Sequence, residues 1–405
     1  MKFADFCRRP IFNLGFRIFF LSSALSGAFF MLWWLLSYSA HWPLPVGALK
    51  LPQYWHGHEM LFGFGVAVVG GFLLTAVQNW TGVPMPKGEK LFWVWLPWLL
   101  ARLVFLVAPA LALLGGLLDL VFSLLLATAV LRACRAAEGQ LKRQAGIIAK
   151  LYLLVLANGL FLLGLLTKLS LMRSSLYLTL FVIIGLVITI GRRVMPFFTR
   201  NGLMPQGVQF EPKNDERLDK WCLNSFLTFF FLELLTLHFA SPWLQWPASL
   251  AALATGVLNA KRLAGWFHPG IFRVPLLWSM FFAFATMIVG FGLYALQAFG
   301  GRISDSLAMH SFALGGIGMM VLSMMGRVSL GHTGRNIMAP PGTLIVGLWL
   351  LVLAYGARVL LPLLWPAQMV FGIWLAQSAW IGAFGLLIYS YTPIWLSPRI
   401  DGKKG

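Results

Sequence analysis

The run from Trp55 to Phe64, WHGHEMLFGF, places two of the chain's seven histidines, an acid and a methionine at the mouth of a long apolar segment. Polar side chains are costly in hydrocarbon unless a partner offsets them, so this set reads as a ligand site for a buried cofactor. His310 stands within a second apolar stretch, five or six residues past Ser304 or Asp305 as N-cap, which is roughly 8 Å deep by helical rise. Two histidines from different helices at one depth clamp the two axial positions of a haem, for which neutral imidazole is the usual ligand. His56 or His58, taken with His310, meets that description. The competing reading is that His310 hydrogen-bonds between helices and that HGH caps its own helix. His56 and Met60 share a helical face if the helix starts early, and His56 and His58 diverge unless the entry is extended. His332 lies about 33 Å of helix from His310, so these two belong to different sites.

The elements that must position these residues are membrane helices. Hydrophobic residues make up 59% of the 405, charged residues 11%, and mean hydropathy is +0.81, which excludes an ordinary soluble domain. Twelve apolar stretches are long enough to span about 30 Å of hydrocarbon. They run near 15–37, 58–79, 91–109, 111–131, 147–167, 174–196, 221–240, 243–263, 274–299, 305–327, 343–362 and 367–391. The boundary between the third and fourth rests on Pro109 and the Gly115, Gly116 pair. The first run, from Ile18, is too long and aromatic for a cleaved leader and is expected to stay as a helix. The expected fold is thus all-α, one transmembrane domain over 1–405, with six helices in 1–198, a cytoplasmic loop at 199–219 and six more in 220–405.

Charge gives the orientation. With the N-terminus inside, most of the 31 Lys and Arg, from Lys2 to Lys404, fall in inner segments. Lys50, Lys168, Arg173 and Arg302 fall outside, and Arg102 and Arg358 fall within helices. This bias predicts both termini in the cytoplasm. It also accounts for the net charge of +19, so the expected partner is anionic lipid and not nucleic acid. Cys7, Cys134 and Cys222 then lie on or near the reducing side, and no disulfide is expected.

Arg102 and Arg358 fall in the outer half of their helices, at the level where a haem between His56 and His310 would carry its propionates, and arginine matches carboxylate geometry bidentately. The alternatives are pairing of Arg102 with Asp119 and snorkelling of Arg358. On the inner side, Arg192 and Arg193 end the sixth stretch, Pro196 breaks it, and Arg327, His332 and Arg335 follow the tenth. They form a basic cluster that either receives an anion or simply anchors the inner face.

The run HGHEMLFGF, then GGFLLTAVQNWTG, GRRVMPFFTR and RVSLGHTGR in that order, resembles the NnrS family of bacterial membrane proteins over nearly the whole chain. The resemblance implies a twelve-helix, multi-pass inner-membrane protein containing haem and copper, linked to denitrification and to resistance against nitric oxide and nitrosative stress. It leaves open whether the chain is an oxidoreductase acting on nitric oxide or a related species, and which redox partner it would have. The pattern His56, Gly57, Met60, Phe62 with Gly70, Gly71 and Phe72 is more distantly similar to the catalytic subunit of haem-copper oxidases. Carried over, that likeness gives the axial roles to His56 and His310. It stops short of a binuclear oxygen-reducing centre, because the sixth stretch has no histidine and His310 has no second histidine two residues away. His58 is left as alternative axial ligand or as copper ligand, with His41, His238 and Met60 as outward donors of a type suited to copper. Two other function classes fit the sequence: a twelve-helix transporter of a small anion, metal or cofactor, and an accessory subunit supplying metal to an enzyme.

Overall fold

A computed structural model describes residues 3–45, 49, 51–239, 241–297 and 303–403. Lys2, Lys50, Arg302 and Lys404, which entered the charge count, lie outside them. Among the described residues the chain is helical with no strand. Its long helices are α1 (Gly15–Ala40), α2 (Pro52–Thr81), α3 (Glu89–Val107), α4 (Ala112–Ala136), α5 (Ala145–Leu166) and α6 (Leu169–Leu203). They continue with α7 (Glu216–Thr236), α8 (Pro242–Trp266), α9 (Pro275–Gln297), α10 (Asp305–His332), α11 (Gly342–Leu364) and α12 (Met369–Leu396). Ten helices of the described residues are long and apolar enough to cross a membrane; α7 and α8 have comparable length but are not among the ten.

The helix ends follow from local chemistry. Proline at the first turn of α2 loses no bond a helix would have made there. At its other end Gly82, at φ 72°, takes the left-handed turn that terminates the helix, and its N–H bonds the Gln78 carbonyl. Pro109 and one tight turn separate α3 from α4, at the boundary expected there. Asp215 caps α7 by accepting from the Arg217 and Leu218 N–H groups.

Two sequence expectations change. Pro196 does not break α6, which runs on to Leu203, so the connection expected from 199 begins later. Proline forfeits only its own N–H, and beyond it the Thr199 hydroxyl donates back to the Met195 carbonyl at 2.9 Å, while the Leu203 side chain is fully buried. The helix carrying the histidines also starts at Pro52 and not near 58, so His56 and His58 lie on helix from the outset.

The chain divides into two compact units. One comprises Met1–Ile183, Arg327–Asn336 and Phe384–Gly405; the other comprises Ile184–Gly326 and Ile337–Ala383. The division falls inside α6 and not at the 199–219 connection. In the first unit α1 and α2 approach closely through glycine. A Cβ on Gly71 would lie 2.8 Å from the Phe19 Cβ, and one on Gly15 would lie 2.5 Å from the Leu74 Cβ. In the second unit a glycine of α9 does the same: Gly290 faces Phe312 of α10, with the added Cβ 2.7 Å from the ring.

Replacing Gly71 by valine is therefore expected to destabilise the first unit by about 1–3 kcal/mol through overpacking. The check is the thermal midpoint of the detergent-solubilised protein, and a midpoint equal to wild type would show that α1 and α2 can part at no cost.

Candidate functional site: a buried charge network and three widened helix turns

α2, α3 and α4 bring four ionisable side chains together in the first unit. His58, Glu59, Arg102 and Asp119 are 0%, 0%, 4% and 1% exposed. The Arg102 Nη1 lies 3.1 Å from Glu59 Oε2, and its Nη2 donates to Asp119 Oδ2. The His58 ring faces a carboxylate oxygen at each nitrogen: Glu59 Oε1 at 3.0 Å from Nδ1 and Asp119 Oδ2 at 3.4 Å from Nε2. Isolated charges in hydrocarbon would cost several kcal/mol each, and here each is compensated by the others. The wall of the network is aromatic. Phe161 and Phe105 stand 4.3 Å and 4.6 Å from the His58 ring centroid, and Arg102 lies over Phe105. Asn158 of α5 extends the network, donating to Ser123 Oγ at 2.5 Å and to the Asp119 backbone carbonyl at 3.4 Å.

The backbone is shaped to admit it. Directly after His58, residues Glu59–Gly65 form a π-helical turn, in which the chain widens by one residue and carbonyl groups lose their regular partners. The Trp98 indole N–H answers one of them, donating to the Gly63 carbonyl at 3.0 Å. Gly63 has a second role, because a Cβ there would lie 2.5 Å from Arg102 Nη1 and 2.9 Å from Glu59 Oε2. Only a missing side chain leaves room for the ion pair.

His56 stands two residues before His58, half-buried, its ring stacked on Trp34 with centroids 4.7 Å apart and planes at 14°. In the second unit, His310 closes the first segment of α10 and is followed at once by another π-helical turn, Ser311–Gly318. Its Nδ1 lies 2.7 Å from the Ser306 carbonyl one turn back. Arg358, 8% exposed, sits in a third such turn, Gly356–Leu360 of α11, and donates from Nη2 to Ser306 Oγ at 2.7 Å. Ser306 thus touches both residues. Farther along, the Ser311 hydroxyl donates to the Thr286 carbonyl and meets the Tyr355 hydroxyl at 3.0 Å.

The basic residues Arg192, Arg193, Arg327, His332 and Arg335 do not form one group within either unit. Arg192 and Arg193 belong to the second unit, where they line a polar cavity. Arg327, His332 and Arg335 belong to the first. There the His332 carbonyl accepts from Arg399 Nη1 at 2.9 Å, and the fully buried Arg17 guanidinium donates to the Ile394, Trp395 and Ser397 carbonyls at the end of α12. Arg399 is fixed in turn by Asp401, whose exposed carboxyl is held well below the usual carboxylate range by that hydrogen-bonded guanidinium.

Sequence reasoning offered Asp119 only as an alternative partner for Arg102, took Glu59 only as the acid of the histidine motif, and passed over Ser306. The signals were present: Asp119 is the single acid of its apolar stretch, and Glu59 sits inside the histidine motif. Among the described residues, no group of three or more His, Cys, Asp or Glu is arranged to hold a metal ion.

An all-helical, multi-pass membrane protein with charge enclosed in its helical packing is the class this architecture defines. Within that class the chain belongs to the NnrS family, whose model, described as NnrS protein, matches residues 10–399. No curated protein matches the chain.

Removing one member of the network leaves the others unbalanced in a low-dielectric interior. Asp119→Ala or Glu59→Ala is expected to cost about 3–5 kcal/mol, and the paired Arg102→Met, Asp119→Leu variant less than either. Thermal unfolding in detergent tests this, and a paired variant no more stable than the singles would show that the residues do not act together.

Proposed function

We propose that this NnrS-family chain is a haem-binding protein of the bacterial inner membrane that handles nitric oxide, with twelve spans, both termini cytoplasmic, and His56 and His310 as haem ligands. Family membership supports the connection to nitric oxide. The observation that carries the haem assignment is the Nδ1 contact of His310 with the Ser306 carbonyl, 2.7 Å. A carbonyl accepts only from a protonated ring nitrogen, so this contact fixes the tautomer with its lone pair on Nε2, and it is the second bond that metal-ligating histidines characteristically make. Arg358, tied to the same serine, supplies a guanidinium suited to a propionate. His56 and His310 belong to different units, and the support for each is local.

Bound haem would supply an iron centre that takes nitric oxide and exchanges electrons. The chain's own residues do the rest: the Ser306 carbonyl holds the His310 ring, Trp34 holds the plane of His56, and the apolar walls exclude water. Arg102 does not share this role. Glu59 and Asp119 already engage it, so the propionate role rests with Arg358. His58 fits an axial or copper position poorly, because both ring nitrogens face carboxylates beside a guanidinium. Copper stays in the proposal through the family alone, without assigned ligands.

Two measurements test this reading. Protein purified from haem-replete cells should show sharp low-spin bands on dithionite reduction, lost in His56→Ala and in His310→Ala and kept in His58→Gln. A colourless wild type would remove haem and make transport the leading function. For the topology, a reporter that fluoresces only in the cytoplasm should light up when fused after Gly405 and stay dark when fused in the connection between α7 and α8. A bright signal at both would overturn the twelve-span orientation.

A further inference from the structure

The second unit holds an apolar groove of about 650 Å³ between α8, α9 and α11 that the haem reading does not use. Its lining on α8 includes Ala260, Ala264 and Phe267, and on α9 Trp278, Phe281 and Ala285, each set at spacings of three and four, so each helix gives it one face. Alanine makes it a recess. Ala260, Ala264 and Ala285 stand at exposed positions, where larger side chains would level the surface. Rings line the rest: Trp278 and Trp349 have centroids 4.8 Å apart, and Phe267 lies 6.1 Å from Phe272 and 6.2 Å from Phe281. Rings packed against one another are ordered before a ligand arrives, which lowers the entropy cost of binding.

Length identifies the occupant. From Trp278 to Ile288, both lining residues, α9 rises about 15 Å, half of the roughly 30 Å of bilayer hydrocarbon. The groove thus runs from the tight turn Pro269–Arg273, which contributes Ile271 and Phe272, to the depth that one acyl chain of one leaflet reaches. The turn is fixed: His268 Nδ1 accepts from the Gly270 N–H at 3.0 Å, and the Gln206 amide donates to the Gly270 carbonyl at 3.1 Å. Charge at this end selects the headgroup. From Pro242 to Gln297 the chain has no acid, and its cations are Lys261, Arg262 and Arg273. Arg262 is engaged by Asp219 at 3.3 Å, whereas Lys261 and Arg273 are exposed and make no ion pair among the described residues. Arg273 follows Phe272 directly, and the aliphatic stem of Lys261, beside Ala260, carries its ammonium toward the same edge. A guanidinium and an ammonium beside an apolar recess are the donors that an anionic headgroup phosphate accepts.

We propose that this groove holds one anionic glycerophospholipid, with an acyl chain along α9 against Ala264 and Ala285 and the headgroup phosphate at Arg273 and Lys261. The full-length protein tests this. It is reconstituted in nanodiscs of phosphatidylglycerol and phosphatidylcholine with identical chains, released into detergent and weighed by native mass spectrometry, which counts retained lipids and reveals any dimer. Ala264→Phe, Ala285→Phe fills the groove, and Lys261→Gln, Arg273→Gln removes its charges. Two controls match them elsewhere: Ala254→Phe, an exposed alanine of α8 outside the groove, and Arg132→Gln, Arg135→Gln at the exposed end of α4.

The expected result is retention of phosphatidylglycerol in preference to phosphatidylcholine, reduced at least fivefold in the groove-filling variant. The charge variant loses the preference, and both controls behave as wild type. Equal retention of the two lipids by wild type overturns the proposal, as does retention by the groove-filling variant equal to that of Ala254→Phe. A wild-type dimer that the groove-filling variant abolishes, with lipid retention unchanged, assigns the groove to a second copy and overturns it too. Should the groove-filling variant not fold, the charge variant decides, because its changes are confined to exposed positions: a lost preference supports the proposal and an unchanged one overturns it. The low-spin haem bands are read in the same samples and should be unchanged, which keeps this outcome separate from that of the haem assignment.

Discussion

A guanidinium buried in an apolar helical unit is the constraint on which the first unit depends. Arg102 is 4% exposed, too deep to reach water along its own stem, so its charge has to be met where it stands. Glu59 from α2 and Asp119 from α4 meet it, and His58 sits against both carboxylates. Three helices are thereby held at one level and in one rotation, because sliding or turning any of them would separate opposite charges in low dielectric. Aliphatic and aromatic packing around α1 to α5 supplies attraction with little preference for register. The network supplies the register.

The same constraint explains the backbone beside it. A regular α-helix would present Glu59 and Gly63 one turn apart with a full set of internal bonds, whereas the π-helical turn widens the helix, lets Arg102 lie against Gly63, and hands a carbonyl to Trp98. The second unit repeats the device with a serine in place of the carboxylates. His310 and Arg358 both stand at such turns, joined by Ser306, so a histidine and an arginine reach one serine where two ordinary helices would carry them past it. Widened turns cost helical hydrogen bonds, and their recurrence at residues able to bind a cofactor is consistent with the haem reading.

Charge at the helix ends obeys a different rule. There water is near, and cations are tolerated in excess. Arg17 caps the carbonyls ending α12, Arg399 is matched by Asp401, and Arg192 and Arg200 of α6 meet Asp219 and Glu211. Inside the apolar layers Arg102 is enclosed by two carboxylates, while at their edges the ion pairs are longer and partly exposed.

Much of this was legible in the residues alone. Hydrophobic runs broken by proline and glycine gave the helices, though not the early start of α2 or the late end of α6, since every backbone polar group in hydrocarbon must be paired within its own segment. The histidines, Arg102 and Arg358 stood out as polar groups in apolar stretches for the same reason. What each one contacts was not legible. Asp119 lies 17 residues from Arg102 along the chain, and no spacing rule joins positions on different helices. That His58 faces carboxylates while His56 stacks on Trp34 depends on a two-residue difference in helical angle, which only the packed helices fix. The π-helical turns were equally hidden, because they arise where tertiary contacts outweigh the regular hydrogen-bond pattern. Sequence by itself determined the solvent this chain folds in and the segments that enter it, because transfer free energy is a property of each segment. Tertiary structure alone decided which buried charges neutralise each other and which histidine stands among them, because pairing is a property of distances between segments.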